Sequence, residues 1–121
     1  MSHPPLDIAA IQAELRAFVA ERDWQKFHSP KNLAMALAGE AGELIELFQW
    51  LTEEQSRSIM DEERAAEAVR DELADILMYA LRMADLLDVD LGAAVRHKMR
   101  KNAERYPADR VRGSARKYTE L

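Results

Sequence analysis

KNLAMALAGEAGELIELFQWL, residues 31–51, decides the fold. Read as a helix, it lines up Leu33, Leu37, Leu44 and Leu51 as an apolar stripe and sets Glu40 near the middle of it, with Glu43 one turn on. A carboxylate in that position is stripped of water without a partner, and unpaired buried Glu is rare because this is costly. A second stretch, carrying Val69, Leu73, Ile76, Ala80 and Leu87 as its stripe, repeats the arrangement, with Glu72 on the shoulder and Asp75 further out. Residues three apart on a helix point the same way to within about 60°. Each helix therefore aims two carboxylates together, and four converging carboxylates repel one another unless something positive lies between them. A hard divalent cation, Mg²⁺, is the natural occupant, and it leaves positions open for phosphate oxygens. With 22 Asp plus Glu in 121 residues, acidic pairs at this spacing also arise as solvated faces; the place of Glu40 in its stripe sets these two apart.

The rest of the chain reads as helix around this pair. Proline occurs only at positions 4, 5, 30 and 107, so nothing breaks a helix from Lys31 to Tyr106. A first helix is expected over residues 6–22, with Ile8, Ile11, Leu15, Phe18 and Val19 on one face, followed by a loop over 23–29. Ser29 and Pro30 form an N-cap and first-turn pair for the second helix. Residues 52–61 read as a connection, with Asp61 capping a third helix that runs to about Leu87. Asp90 caps a fourth, which turns Val95, Met99 and Ala103 inward and stops before Pro107. No strand alternation is visible. The expected class is all-α, a four-helix-type bundle in a single domain over 1–121, with a helical core over 6–107 and a polar, basic C-terminal arm over 108–121. Gly39 and Gly42 each cost a helix about 1 kcal/mol relative to Ala, and they fit close approach by a ligand or by another helix.

Composition narrows the partners. A hydrophobic content of 48% suits one globular domain, and the absence of cysteine removes disulfide and thiolate chemistry. No charged start followed by an apolar run, and no apolar run of spanning length, is present, so a soluble, cytoplasmic protein with no membrane partner is expected. Residues 1–95 carry 8 Lys/Arg against 19 Asp/Glu, whereas residues 96–121 carry 9 against 3. An acidic body argues against a nucleic-acid polymer as partner. It suits a small anion held between a metal and basic side chains. Aromatic and Met-rich helix faces in so short a chain also predict self-association.

Other residues sharpen the ligand. Trp24, Phe27 and His28 share one loop, where an aromatic pair either stacks on a base or covers the bundle end. Trp50 follows Glu43 by two helical turns and Tyr79 follows Glu72 by two, so each acidic pair has an aromatic about 10 Å along its face. That doubled spacing fits a nucleotide. Lys98, Asn102 and Arg105 lie along one face of the fourth helix, either as phosphate partners or as a solvent face. His3 and His97 have no metal-ligand spacing. No Glu-x-x-His, His-Glu-x-x-His or Walker-type loop is present, which removes di-iron bundles, zincins and P-loop enzymes.

Glu40-x-x-Glu43 followed by Glu72-x-x-Asp75 resembles the MazG-like all-α nucleoside triphosphate pyrophosphohydrolases, most closely the dCTP pyrophosphatase branch. The likeness extends through Ala20 to Trp24 with Phe27-His28, Phe48-Gln49-Trp50, Tyr79, Lys98-Met99 with Asn102, Arg105-Tyr106-Pro107 and the ending Arg116 to Leu121. The resemblance implies Mg²⁺ on Glu40, Glu43, Glu72 and Asp75, with Glu40 or Glu43 activating water. It also implies Trp24, His28, Trp50 and Tyr79 around base and sugar, Lys98 and Asn102 at phosphates or sugar, and a homotetramer built as a dimer of dimers. The reaction it implies is hydrolysis of dCTP or a modified dCTP to the monophosphate and pyrophosphate. Animal members of that branch carry a base-pocket His where this chain has Leu15. The rival readings are a dUTP-directed or broad NTP pyrophosphohydrolase, and a non-catalytic helical oligomerisation module.

Overall fold

The computed structural model describes residues 2–121, and among them there is no strand. The α-helices follow in the order α1 (Ile8–Glu21), α2 (Pro30–Phe48), α3 (Glu53–Arg57), α4 (Glu63–Leu86), α5 (Leu91–Arg105) and α6 (Ala108–Val111), with 3₁₀ turns at Gln25–Phe27, Ile59–Asp61 and Tyr118–Glu120. They gather into two compact units, one ending at Asp88 and the other spanning Val89–Leu121.

Helix starts follow local chemistry. The side chains of Asp7, Ser29, Thr52 and Asp90 each accept from a backbone N–H three residues on, satisfying one of the donors a helix leaves free at its start. The cap of α4 differs from the expected Asp61. Residues Ile59–Asp61 form a 3₁₀ turn, so the first extended residue is Glu62, whose carboxylate accepts from Arg64 N and Ala65 N. Those bonds, that from Ala65 foremost, hold the Glu62 carboxyl below its ordinary range. The second helix also ends earlier than expected, at Phe48 rather than Leu51, because Thr52 takes an extended backbone to cap α3 in a box closed by Gln55.

In the first unit α4 packs mainly along α2 and also meets α1. Val19, Leu33, Ala66, Val69, Leu81 and Ala84 form the buried core. The stripe predicted for α4 is thus displaced: Val69 is buried, but Leu73 and Leu87 are exposed while Leu81 and Ala84 are covered. Ala66 and Ala84 share the buried seam with Leu33 and Leu81, while Leu73 and Leu87 lie outside it. In the second unit Val95, Met99 and Ala103 are exposed, not turned inward. One helix of 15 residues and a short arm offer too little chain to bury a stripe. The arm is tied to α5 by Tyr118, which meets Tyr106 edge-on and lies under the Arg105 guanidinium.

Candidate active site

Helix α2 presents Glu40 and Glu43, and α4 presents Glu72, so that one oxygen of each lies within 4.8 Å of the other two. Oε2 of Glu40 and Oε2 of Glu72 are both buried and have no hydrogen-bond partner. Ionised carboxylates only accept, so neither serves the other, and native interiors seldom leave such atoms unpaired. The strain appears in proton affinity. The carboxyl of Glu72 raises the pKa of Glu40, with burial and the charges of Asp75 and Glu72 adding to the rise and a bond to Glu43 opposing it. Glu43 is raised in turn, chiefly through Glu40. A cluster of hard oxygen donors, two of them orphaned, fits a hard divalent cation. Asp75, one turn after Glu72, lies outside this closest set. It lines the adjoining cavity, and its charge acts on both Glu40 and Tyr79.

That cavity, about 330 Å³, lies between α1, the loop after it and α4. Leu15, Phe18, Val19 and Met78 supply an apolar surface, while His28, Asp75, Tyr79 and Arg82 bring polar groups to it. Few converging polar groups on apolar walls is the usual character of a small-molecule site. Burial raises the Tyr79 phenol, and the charges of Glu40, Asp75 and Glu43 raise it further. Tyr79 is therefore a neutral hydroxyl beside the carboxylates.

Trp24 reaches this cavity because of how α1 ends. Asp23 adopts a left-handed backbone (φ 55°), its N–H bonds Ala20 O, and the Trp24 N–H bonds Val19 O at 3.0 Å. This is the Schellman closure of a helix, with Asp in the place glycine most often takes. The turn sets the Trp24 ring edge-on to Phe18, centroids 5.8 Å apart, at the cavity wall.

One cavity residue escapes a reading from sequence. Arg82 is only 6% exposed. Its Nε donates to Nδ1 of His28 at 3.3 Å, and its guanidinium lies 3.5 Å from Asp85. Arg16 of α1 donates to both oxygens of Asp85 at 2.7 Å. Arginine is ordinarily read as solvent-facing. The available signal is the spacing Asp75, Tyr79, Arg82, which is i, i+4, i+7 on one helical face.

Of the other predicted residues, Trp50 falls just past α2, is 87% exposed and is not among the residues lining the cavity. Lys98 and Asn102 belong to the second unit, where both are exposed on α5. A Cβ added at Gly39 or Gly42 would meet nothing within 4 Å, so packing within the chain does not account for these glycines. Among the described residues no helix is long and apolar enough to cross a membrane.

The sequence model of the MazG-like family matches residues 36–121. A dCTP pyrophosphatase 1 of Homo sapiens is 49% identical over 115 residues, covering 95% of this chain and 66% of that protein. That of Bos taurus is 49% identical over 121 residues, covering 99% of this chain and 70% of the relative. The chain thus spans about two thirds of the length of these relatives. The crystal structure of a pyrophosphatase from Archaeoglobus fulgidus DSM 4304 superposes with a TM-score of 0.77 at 35% identity, covering 88% of this chain and 98% of the other.

Proposed function

Because the chain belongs to the MazG-like family, we infer that it is a Mg²⁺-dependent nucleoside triphosphate pyrophosphohydrolase that converts dCTP, or a modified dCTP, to the monophosphate and pyrophosphate. The observation that carries this reading is the cluster of Glu40, Glu43 and Glu72, with its two orphaned buried oxygens, next to a cavity walled by Trp24 and Tyr79. The relatives at 49% identity, dCTP pyrophosphatases, support the choice of nucleotide.

Glu40, Glu43, Glu72 and Asp75 would hold the metal, which when bound supplies positive charge against the phosphate oxygens. Water attacks the α-phosphorus, the bond from that phosphorus to the α–β bridging oxygen breaks, and pyrophosphate leaves. Glu40 or Glu43 takes the proton of the attacking water. Without metal, Glu72 raises the proton affinity of Glu40 and Glu40 raises that of Glu43, whereas a bound cation would lower both and dominate at neutral pH, leaving a carboxylate able to accept. Trp24 stacks on the base, His28 faces its edge, and Tyr79 packs under the sugar. Trp50 lies exposed outside this cavity in the single chain, so a base and sugar role for it is carried by the family resemblance alone. Lys98 and Asn102, a cation and an amide one turn apart on α5, would serve phosphate and sugar by the family resemblance. Pyrophosphate release from a panel of dCTP, 5-methyl-dCTP, dUTP and CTP, with and without Mg²⁺, tests the reading. Release from dCTP only with Mg²⁺ is expected; equal release from all four would indicate a broad NTP enzyme.

Trp24→Ala is expected to weaken dCTP binding by about 1–3 kcal/mol, the scale for losing one stacking partner. Metal affinity should barely change. An unaltered KM for dCTP would leave Trp24 as a cover for the bundle end.

The reading includes a cytoplasmic homotetramer, a dimer of dimers. Exposed Met35, Ile45 and Trp50 support self-association, since a single chain leaves this apolar surface to water. Sedimentation at micromolar concentration is expected to give four chains per particle. A stable monomer would count against it.

A further inference from the structure

The hydrogen bond between Arg82 and His28 fixes the chemistry of the cavity wall. A guanidinium stays protonated and can only donate. Its Nε–H points at Nδ1 of His28, 3.3 Å away, so Nδ1 must hold a lone pair. A neutral imidazole with a bare Nδ1 carries its proton on Nε2. Burial, and then the charge of Arg82, lower the proton affinity of His28, in keeping with the neutral ring. The direction of the donor is itself anchored. Asp85 holds the guanidinium, and Arg16 holds Asp85 from α1 through both carboxylate oxygens.

Among the described residues His28 makes no other side-chain hydrogen bond, and it is the imidazole on a wall where α1 contributes Leu15. The atom left for a ligand is Nε2, as a donor. Cytosine offers a lone pair at ring N3, whereas uracil and thymine carry a hydrogen there. A donor meeting that hydrogen leaves both groups unpaired in a partly buried site, which is how hydrogen-bonding sites reject an analogue.

We propose that Arg82 is a positioning residue which, through Nδ1, holds His28 as an Nε2–H donor to the cavity, so that the site takes a pyrimidine with an acceptor at ring N3, cytosine, over one with N3–H. The proposal rests on the dCTP reading and adds to it the residue that sets the base preference.

The test begins with steady-state kinetics of the Mg²⁺-loaded wild-type protein on dCTP and dUTP. No pyrophosphate from either overturns the enzyme reading itself. With activity present, Arg82→Lys keeps the charge beside Asp85 but lacks the fixed Nε fork. It is expected to raise KM for dCTP about tenfold, the scale of one hydrogen bond, with kcat and the constants for dUTP nearly unchanged. In a His28→Ala background the same substitution should change the dCTP/dUTP ratio no further, because both act through one group. Additive losses, or an equal fall on both nucleotides, would assign Arg82 to folding alone and overturn the proposal. ¹⁵N spectra of histidine-labelled wild-type protein give a readout independent of turnover: His28 should show an unprotonated Nδ1 and a protonated Nε2. The reverse tautomer would overturn the proposal, and this measurement stands even where Arg82→Lys does not fold.

Discussion

Glu43→Gln and Asp75→Asn are each expected to lower dCTP turnover by about a thousandfold, the scale on which removing one group that stabilises developing charge acts, while leaving the helical circular dichroism unchanged. Glu43 stands within 4.8 Å of the oxygens of Glu40 and Glu72, and Asp75 acts on Glu40 by its charge. A neutral amide of the same shape keeps the packing but is a far poorer ligand for Mg²⁺. Glutamine and glutamate have similar helix propensity, so α2 should persist. Metal-free Glu43→Gln should melt no lower than the parent, since it removes a carboxylate that Glu40 repels and whose proton affinity Glu40 raises. Near wild-type turnover in both variants would remove the metal-site assignment. Glutamate at position 46 offers a control on the same helix, exposed and outside the close cluster, where substitution to Gln should leave turnover intact.

The sequence makes the architecture legible where a single residue carries a local rule. Ser29 before Pro30, and Asp90 before a polar helix, place two helix starts correctly, because a cap depends on its own side chain and the next few N–H groups. Glu40 is legible for a different reason: a carboxylate inside an apolar stripe demands a partner, and its Oε2 is indeed buried without one. What fails is whatever depends on more distant contacts. Asp61 is the better cap by residue type, yet a 3₁₀ turn that ends on it hands the role to Glu62. Leu73 and Leu87 fit a 3.6-residue period but lie beside the seam, because α2 and α1 both meet α4 and select Leu81 and Ala84. Arg82 is hidden by its residue type, and its burial is made tolerable by the ion pair with Asp85, itself held by Arg16 of α1, and by the bond to His28.

Mg²⁺ is expected to raise the melting temperature of the protein substantially, and by more as the pH rises. A ligand that binds only the folded state at a thousandfold excess over Kd stabilises it by about 4 kcal/mol, which for a domain of this size corresponds to a rise on the order of 10–20 °C. The pH dependence follows from the raised proton affinities of Glu40 and Glu43. As pH climbs past the ordinary Glu range, the unfolded chain releases protons that the metal-free folded state still holds. Folding then binds protons, so each step upward removes stability until both groups have ionised in the fold. Above that point the repulsion is complete, and it is there that a divalent cation has most to neutralise. Glu62, with its carboxyl lowered by helix N–H bonds, contributes in the opposite sense at lower pH, so the loss belongs to the range above the ordinary Glu value. Melting curves from pH 4.5 to 7.5, with EDTA and with Mg²⁺, should diverge as the pH rises, and metal-free Glu40→Gln should show a flatter pH profile. If the curves with EDTA and Mg²⁺ coincide throughout, the orphaned oxygens of Glu40 and Glu72 do not bind the cation, and the acidic pairs serve only to join helices.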